Sequence, residues 1–317
     1  MSKVIRIGTR ESQLAVWQAT LVQQLLAKNN FQSELVFIKS EGDIDLQTPL
    51  YDMGVQGIFT KSLDIALLTN KIDIAVHSMK DVPTQMARGI MQAAVLERAS
   101  YKDVFVYKDP SIIETWHLSD AFHNTTLGDG GIATSSIRRK AQWLHRYPNH
   151  TIENLRGNIN TRLRKVQESN WHGAIFAAAG LERINLRPKN SIDLDWMLPA
   201  PAQGAIMVVC REDDREYFDA CQPFNHSVTA LCTQIERSFL KALLGGCSTP
   251  ISALAQVKND QLFFRGNILS VDGKQKVEIE KTIALNETLD LGETAATELL
   301  NKGADKIAEE IRHAKND

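Results

Sequence analysis

Arginines concentrate in one part of the chain, at positions where an anion could bind. The stretch from Thr134 to Lys165 holds eight Lys and Arg residues and one acid, a net charge of +7, whereas the whole 317-residue chain carries -2. Arg138 and Arg139 follow TSS at 134–136, hydroxyl residues that cap helix N-termini. Cations at that end oppose the helix dipole by about 0.3–1 kcal/mol each. An anion site therefore explains them better than a solvated basic face.

A second arginine-bearing turn follows in the same stretch. LRGN at 155–158 is a glycine-containing strand-to-helix turn, and Arg162 lies in the first turns of the helix that it opens. Arginine outnumbers lysine six to two here, which favours bidentate binding of carboxylate or phosphate. If the two helix N-termini converge, they form one anion site.

Two opposite charges are adjacent at the end of a predicted buried strand. Lys80 and Asp81 follow IDIAVHS at 72–78, and open α/β sheets bind ligands at the carboxyl ends of their strands. The pair could act on a ligand, or it could be a local ion pair in a surface turn. His77 alone is better explained as a packed or capping histidine than as a base. TRES at 9–12 adds a cation and a hydroxyl at another helix start.

One of the four cysteines differs from the others in its surroundings. Cys210, Cys221 and Cys232 lie in apolar or helical segments, as buried free thiols do. No pair has Cys-x-x-Cys spacing and none has a histidine at zinc-ligand spacing, so no metal site is predicted. Cys247 lies between two glycines and STP, on a tight loop that another molecule can approach closely.

The elements that must position these residues alternate along the first two thirds of the chain. Strands at 4–8, 34–40 and 72–78, with helices at 12–27 and 57–70, favour a largely parallel sheet covered by helices. The pattern repeats from 103 to 184, and 198–212 is a crossing segment that returns the chain to the first sheet. The last third changes: a helix at about 227–244, three strands with hairpin turns and a helix at about 291–314 predict a small α+β domain.

Composition excludes collagen-like, coiled-coil and wholly disordered proteins. With 43% hydrophobic and 23% charged residues the chain is typical of globular proteins. The basic stretch has few interleaved aromatic residues and the remainder of the chain sums to -9, which disfavours nucleic-acid binding. No apolar run approaches the ~20 residues of a membrane span, and the N-terminus lacks a signal peptide. We expect a cytoplasmic protein that contacts no membrane.

Taken in order, these motifs resemble the porphobilinogen deaminase (hydroxymethylbilane synthase) family. DIAVHSMKDVP, TSSIRR with LRGN and TRL, and GGCSTP are individually specific, and IGTRES, GIFTKSLDIALL, AAAGLERI and PAQGAI extend the resemblance over nearly the whole chain. The resemblance implies two lobes like type II periplasmic binding proteins, with mainly parallel mixed sheets, and a small C-terminal α+β domain with an antiparallel three-stranded sheet. The expected domains are 1–98 plus 202–221, 103–198 and 224–317.

The resemblance also implies the reaction. The family is a transferase of porphyrin (haem) biosynthesis that joins four porphobilinogen units onto a dipyrromethane cofactor, releasing ammonia at each addition, and then hydrolyses off linear hydroxymethylbilane. By motif match Cys247 holds the cofactor through a thioether, and Asp81 is the catalytic carboxylate. The implied partner is a small molecule, and the implied state is a monomer. A receptor with the same lobes, which would bind polycarboxylates without consuming porphobilinogen, is the alternative.

Further residues are matched to the family's cofactor and substrate contacts. Because each pyrrole carries acetate and propionate groups, a growing chain accumulates carboxylates for the cations to bind. We expect substitution of Arg138 or Arg139 to impair binding more than thermal stability. Departures from the usual family pattern fall at Glu41, Gln56, 99–102, Ala133 and 201–202. The matched contacts are Arg10, Ser12, Lys80, Thr134, Ser135, Arg138, Arg139, Arg156, Arg162, Arg183, Phe59 and Gln203.

Overall fold

The structure, a computed structural model, describes residues 3–40, 60–113, 130–243 and 249–313. The predicted site residues Phe59 and Cys247 lie outside the described residues, as do Glu41 and Gln56. The predicted fold class is confirmed. Two α/β lobes with mixed sheets are joined to a small α+β domain with a three-stranded antiparallel sheet.

Strands and helices alternate through both lobes, and the last third is richer in antiparallel strands. The strands are β1 (Ile5–Thr9), β2 (Ser33–Phe37), β3 (Ile74–Ser78), β4 (Ile90–Val95), β5 (Asp103–Tyr107), β6 (Ile132–Ala133), β7 (Ile152–Glu153), β8 (Gly173–Ala177), β9 (Ser191–Asp193), β10 (Ile206–Arg211), β11 (Ile251–Lys258), β12 (Gln261–Leu269) and β13 (Lys276–Ala284). The helices are α1 (Gln13–Lys28), α2 (Lys61–Leu68), α3 (Ile137–Arg146), α4 (Ile159–Glu168), α5 (Ala178–Arg183), α6 (Arg215–Cys221), α7 (Ser227–Leu243), α8 (Leu291–Leu299) and α9 (Asp305–His313).

The sheets of the two lobes share one arrangement. The first has the order β2-β1-β3-β10-β4 and the second β7-β6-β8-β5-β9. In each, the first three strands are parallel and the fourth runs antiparallel to both of its neighbours. Central strands such as β3 are apolar on both faces because helices cover both sides. The carboxyl ends of β1 and β3 therefore meet at one edge, and those of β6 and β7 meet at another.

The C-terminal domain packs α7 and α8 on one face of its sheet. Phe239 of α7 meets Phe264 of β12 edge to face, with ring centroids 5.2 Å apart. The predicted single helix at the end of the chain is wrong: α8 and α9 are separated at Gly303, whose φ of +101° is incompatible with a continuous helix. Cys210, Cys221 and Cys232 are buried, as predicted.

Candidate active site

Asp81 lies on a short 3₁₀ turn that leaves the carboxyl end of β3. We call residues 79–83 the Asp81 turn. Met79 and Val82 anchor it, since both are buried in the core of the first lobe and the Met79 N–H donates to Ala205 O at 3.0 Å. Lys80 and Asp81 lie between these anchors and are half-buried. The apolar spacing thus presents two charged side chains at the sheet edge where ligands bind.

Lys80 is connected to the crossing segment through Gln203. The Lys80 Nζ lies 3.5 Å from Gln203 Oε1, and Gln203 Nε2 donates to Tyr101 O at 2.7 Å and to Asp103 Oδ1 at 2.9 Å. Burial lowers the pKa of Lys80 to about 8, although the Asp81 charge opposes the shift. Lys80 is therefore a cation whose charge depends on pH within the range where enzymes work.

Arg138 and Arg139 are held by a buried carboxylate that sequence reasoning missed. Asp103 is completely buried at the start of β5, and its two oxygens lie 2.7 Å from Arg138 Nη2 and from Arg139 Nη2. Burial alone would raise the pKa of Asp103, but the two guanidinium groups outweigh it and bring the pKa to about 2. The sequence signal for this buried acid is its position directly before the apolar strand residues VFVY at 104–107.

The remaining donors of these two arginines also point into the protein. Arg138 Nη1 donates to Leu198 O at 2.7 Å, and Arg139 Nη1 donates to Ile175 O at 2.9 Å. The N-cap expected at 134–136 is Ser136, whose hydroxyl accepts from the Arg139 N–H at 3.4 Å. The pair therefore braces the second lobe internally. Its predicted contacts with cofactor or substrate stay a prediction.

The two arginine-bearing turns come together, which the sequence left open, and Ser135 joins them. The Ser135 hydroxyl accepts from the Leu155 N–H at 2.9 Å and lies 2.6 Å from Asn154 Oδ1. Thr134 is buried beside it, and its N–H donates to Glu153 O at 2.8 Å. Ser135 thus fixes the start of one helix against the turn that precedes the other.

Arg156 and Arg162 frame the second turn. Asn158 caps α4 by accepting from the Thr161 N–H at 3.0 Å, and Gly157 has a φ of +111° that a side chain would strain. Arg156 is 3% exposed. Arg162 is half-buried, and its Nε is buried without a hydrogen-bond partner among the described residues.

Charges from both lobes act on Arg162. Burial lowers its pKa to about 10, the positive charges of Arg139 and Arg156 add to this, and the Asp81 charge opposes it. Asp81 of the first lobe is therefore near enough to Arg162 of the second for its charge to act there. The buried N–H of Arg162 lies near other positive charges that repel it. A carboxylate that bound there would accept its hydrogen bond and reduce that repulsion.

Arg10 and Ser12 follow β1, at the edge of the first sheet where β3 also ends. Ser12 caps α1 by accepting from the Ala15 N–H at 3.4 Å. Arg10 lies close enough to the end of β3 for its charge to act on His77. Burial first and the Arg10 charge second lower the pKa of His77 to about 4, which keeps the imidazole neutral near pH 7. His77 is a packed residue, as expected.

Arg183 bridges the lobes. Its Nη2 donates to Gly204 O at 2.7 Å, and its guanidinium carbon lies 5.8 Å from the centre of the Trp17 ring. Gly204 belongs to the crossing segment and Trp17 to α1, so Arg183 connects the second lobe to both. The predicted contact of Arg183 with cofactor or substrate stays a prediction.

A second buried acid that the sequence did not reveal lies where the lobes meet the C-terminal domain. Glu236 of α7 is completely buried and binds Arg98 Nη1 at 2.6 Å, the Ala202 N–H at 2.6 Å and the Ala255 N–H at 2.7 Å. Ala202 has a φ of +61°, the region that favours glycine, and stands at a departure from the usual family pattern. One carboxylate thus joins the C-terminal domain to the first lobe and to the segment that returns the chain to it.

Comparison with known sequences gives a consistent match along the chain. A family model described as "Porphobilinogen deaminase, dipyromethane cofactor binding domain" matches residues 5–219, and one described as "Porphobilinogen deaminase, C-terminal domain" matches residues 230–301. A porphobilinogen deaminase of Chlorobium phaeobacteroides (strain BS1) is 38% identical over 323 aligned positions, covering 98% of this chain and 99% of that protein.

Solved structures with low sequence identity include binding proteins. An ancestral cationic amino acid solute-binding protein covers 70% of this chain and 87% of its own, with 13% identity and a TM-score of 0.42. The methionine-binding protein MetQ covers 69% of this chain and 89% of its own, with 13% identity and a TM-score of 0.42.

Proposed function

The chain belongs to the porphobilinogen deaminase family, and from this premise we propose how its residues share the reaction. Members of this family are transferases, named hydroxymethylbilane synthases, and they carry a dipyrromethane cofactor. The observation that carries the proposal is electrostatic. The charge of Asp81 in the first lobe acts on Arg162 in the second, among cations whose charges repel one another.

We propose that the cations of both lobes bind the acetate and propionate groups of the pyrroles. The fit is chemical: guanidinium groups pair bidentately with carboxylates, and the buried Arg162 Nε has no hydrogen-bond partner among the described residues. Arg10 and Lys80 of the first lobe and Arg156 of the second complete the set. A pyrrole chain that adds two carboxylates per ring relieves the repulsion among these groups.

Asp81 is proposed as the catalytic carboxylate. When bound, the dipyrromethane would supply the pyrrole carbon to which the first porphobilinogen is joined. As the aminomethyl C–N bond breaks, ammonia leaves and positive charge develops near the pyrrole nitrogen. Asp81, fixed by the buried Met79 and Val82, accepts the pyrrole N–H hydrogen bond and stabilises that charge. It also takes the proton lost when the new C–C bond forms.

Cys247 is the proposed attachment point, through a thioether. It falls between α7 and β11 in the sequence, in the domain that carries Glu236. The proposed domains are 1–98 plus 202–221, 103–198 and 224–317. The pairing of β10 with β3 and β4 supports returning 202–221 to the first lobe.

We also propose a cytoplasmic monomer that acts on porphobilinogen and uses no nucleic acid. The near-neutral net charge of -2 supports the last point. Among the parts of the chain that the structure describes, no helix combines the length and apolar character needed to cross a membrane.

Intact-protein mass spectrometry tests the attachment. Protein from cofactor-replete cells should exceed the mass of the bare chain by two linked pyrrole units, and Cys247→Ser should lose that excess. Cys232→Ser is the matched control, since Cys232 is a buried free thiol, and it should keep the added mass. A native mass equal to the bare chain, with polycarboxylate binding but no porphobilinogen consumption, would support the receptor alternative instead.

A further inference from the structure

Arg237 of the C-terminal domain donates hydrogen bonds to the backbone carbonyls of the Asp81 turn. Its Nη1 donates to Val82 O at 2.8 Å and approaches Met79 O at 3.4 Å, while its Nη2 donates to Pro83 O at 2.7 Å. These carbonyls lie on either side of Lys80 and Asp81 in the chain. One guanidinium therefore spans the segment that carries the proposed catalytic carboxylate.

Beyond the burial of Met79 and Val82, one backbone hydrogen bond within the turn fixes its shape. Within it, the Val82 N–H donates to Met79 O at 3.1 Å, the bond of a single 3₁₀ turn, and such turns are weakly held. Proline at 83 has no N–H to contribute. A planar guanidinium, whose N–H directions are fixed, sets the relative positions of three carbonyls in a way that a flexible ammonium does not.

The base of Arg237 is itself immobilised. The preceding residue, Glu236, is completely buried and binds Arg98 and the backbone of Ala202 and Ala255. Two consecutive residues of α7 thus hold the crossing segment and the Asp81 turn. The domain proposed to carry the cofactor thiol is thereby tied to the domain that carries the carboxylate.

We propose that Arg237 is a positioning residue for Asp81. It does not touch the reacting atoms, and it acts by fixing the carbonyls of residues 79, 82 and 83, so that the carboxylate meets the pyrrole nitrogen at the right distance. The proposal rests on the proposed role of Asp81. Its expected signature is a loss of kcat with little change in KM, because substrate carboxylates are bound by other residues.

The test compares Arg237→Gln and Arg237→Lys with a control on the same helix, Lys241→Gln, whose side chain is exposed one turn away. We expect both Arg237 variants to load the cofactor and to lower kcat about 10- to 100-fold, with KM within about twofold, because small misplacement of a catalytic group is costly. Hydrogen exchange of the Val82 amide should accelerate in both, and Lys241→Gln should match the native protein.

The outcomes separate this inference from the proposed function. Asp81→Asn with native turnover would defeat the role of Asp81 itself. If Asp81→Asn is inactive while both Arg237 variants keep native kcat, only the positioning role is overturned. A merely structural role would show as lost cofactor loading and a lower Tm in both variants, with unchanged kcat per loaded molecule, and that result also overturns the proposal. Should Arg237→Gln fail to fold, Arg237→Lys decides by the same measurements.

Discussion

Two groups of arginines in the second lobe carry nearly the same sequence signature and occupy opposite environments. Arg138 and Arg139 follow a capped helix start and share the buried carboxylate of Asp103. Arg162 also follows a capped start, and its Nε, like that of Arg138, is buried without a hydrogen-bond partner in the described part of the chain, but no described acid forms an ion pair with Arg162. We call the first group the anchored arginines. The difference is whether the fold buries an acid opposite the cation.

The two groups of arginines are suited to different roles, because their charges are compensated to different extents. Asp103 opposes the desolvation of the anchored arginines, although burial still lowers the pKa of Arg138, so removing Asp103 leaves two buried charges uncompensated. Among the residues that the structure describes, the charge of Asp81 offsets the desolvation of Arg162 only in part. The anchored arginines are therefore expected to govern stability, and Arg162 to govern binding. This revises the expectation that Arg138 and Arg139 matter less for thermal stability than for binding.

The largest expected effect is on the free energy of unfolding of Asp103→Asn. Two buried guanidinium groups would lose their counter-charge, and such losses typically cost about 3–5 kcal/mol. Chemical denaturation measures it. Asp195→Asn is the control, because Asp195 is 74% exposed in its pair with Lys102 and should change stability by less than about 1 kcal/mol. Equal losses in the two variants would remove the basis of the comparison.

The pH dependence of unfolding should show the same carboxylate. The pKa of Asp103 is about 2 in the folded protein and about 3.9 in an unfolded chain. A depressed pKa stabilises the fold above the unfolded value, and this contribution is lost as the pH falls through the folded value. A loss of about 2–3 kcal/mol is expected between pH ~4 and pH ~2. Asp103→Asn should lack this component, and an identical acid profile in that variant contradicts the assignment.

Arg162→Gln should show the reverse pattern. Stability should stay within about 0.5 kcal/mol of the native value, whereas KM for porphobilinogen should rise about tenfold, the worth of a charge-assisted hydrogen bond. Arg164→Gln on the same helix is the control, since Arg164 is 67% exposed and should leave KM unchanged. A large fall in Tm with native KM for Arg162→Gln would place it with the anchored arginines.

The smallest expected effect concerns Lys80. Burial holds its pKa at about 8, so its charge is present below that pH and lost above it. KM should therefore rise about two- to fivefold as the pH increases from 7 to 9.5. Lys80→Arg keeps its charge in this range and should remove the rise. Parallel pH profiles for the two proteins would show that Lys80 does not sense the substrate.

Local sequence patterns predicted the strands, the helix starts and their caps. The features that the sequence did not reveal depend on contacts between residues distant in the chain. The hydroxyl cap before Arg138 and the glycine-containing turn before Arg162 correctly predicted two helix starts, because caps and their first turns are adjacent in sequence. The sequence left open whether the two starts converge. Asp103 lies 36 residues from Arg139, and Arg237 lies 155 residues from Val82. Neither spacing has a periodicity. The break at Gly303 was missed because the apolar spacing continues across it.

The most direct measurement is the intact mass of cofactor-loaded protein, quenched at intervals after a pulse of porphobilinogen. The native protein is expected to gain mass in steps of one porphobilinogen less ammonia. Asp81→Asn, prepared with the same cofactor, should remain at its starting mass, since the developing charge has no carboxylate to stabilise it. The same series of masses, formed at the native rate in Asp81→Asn, would contradict the central role given to Asp81.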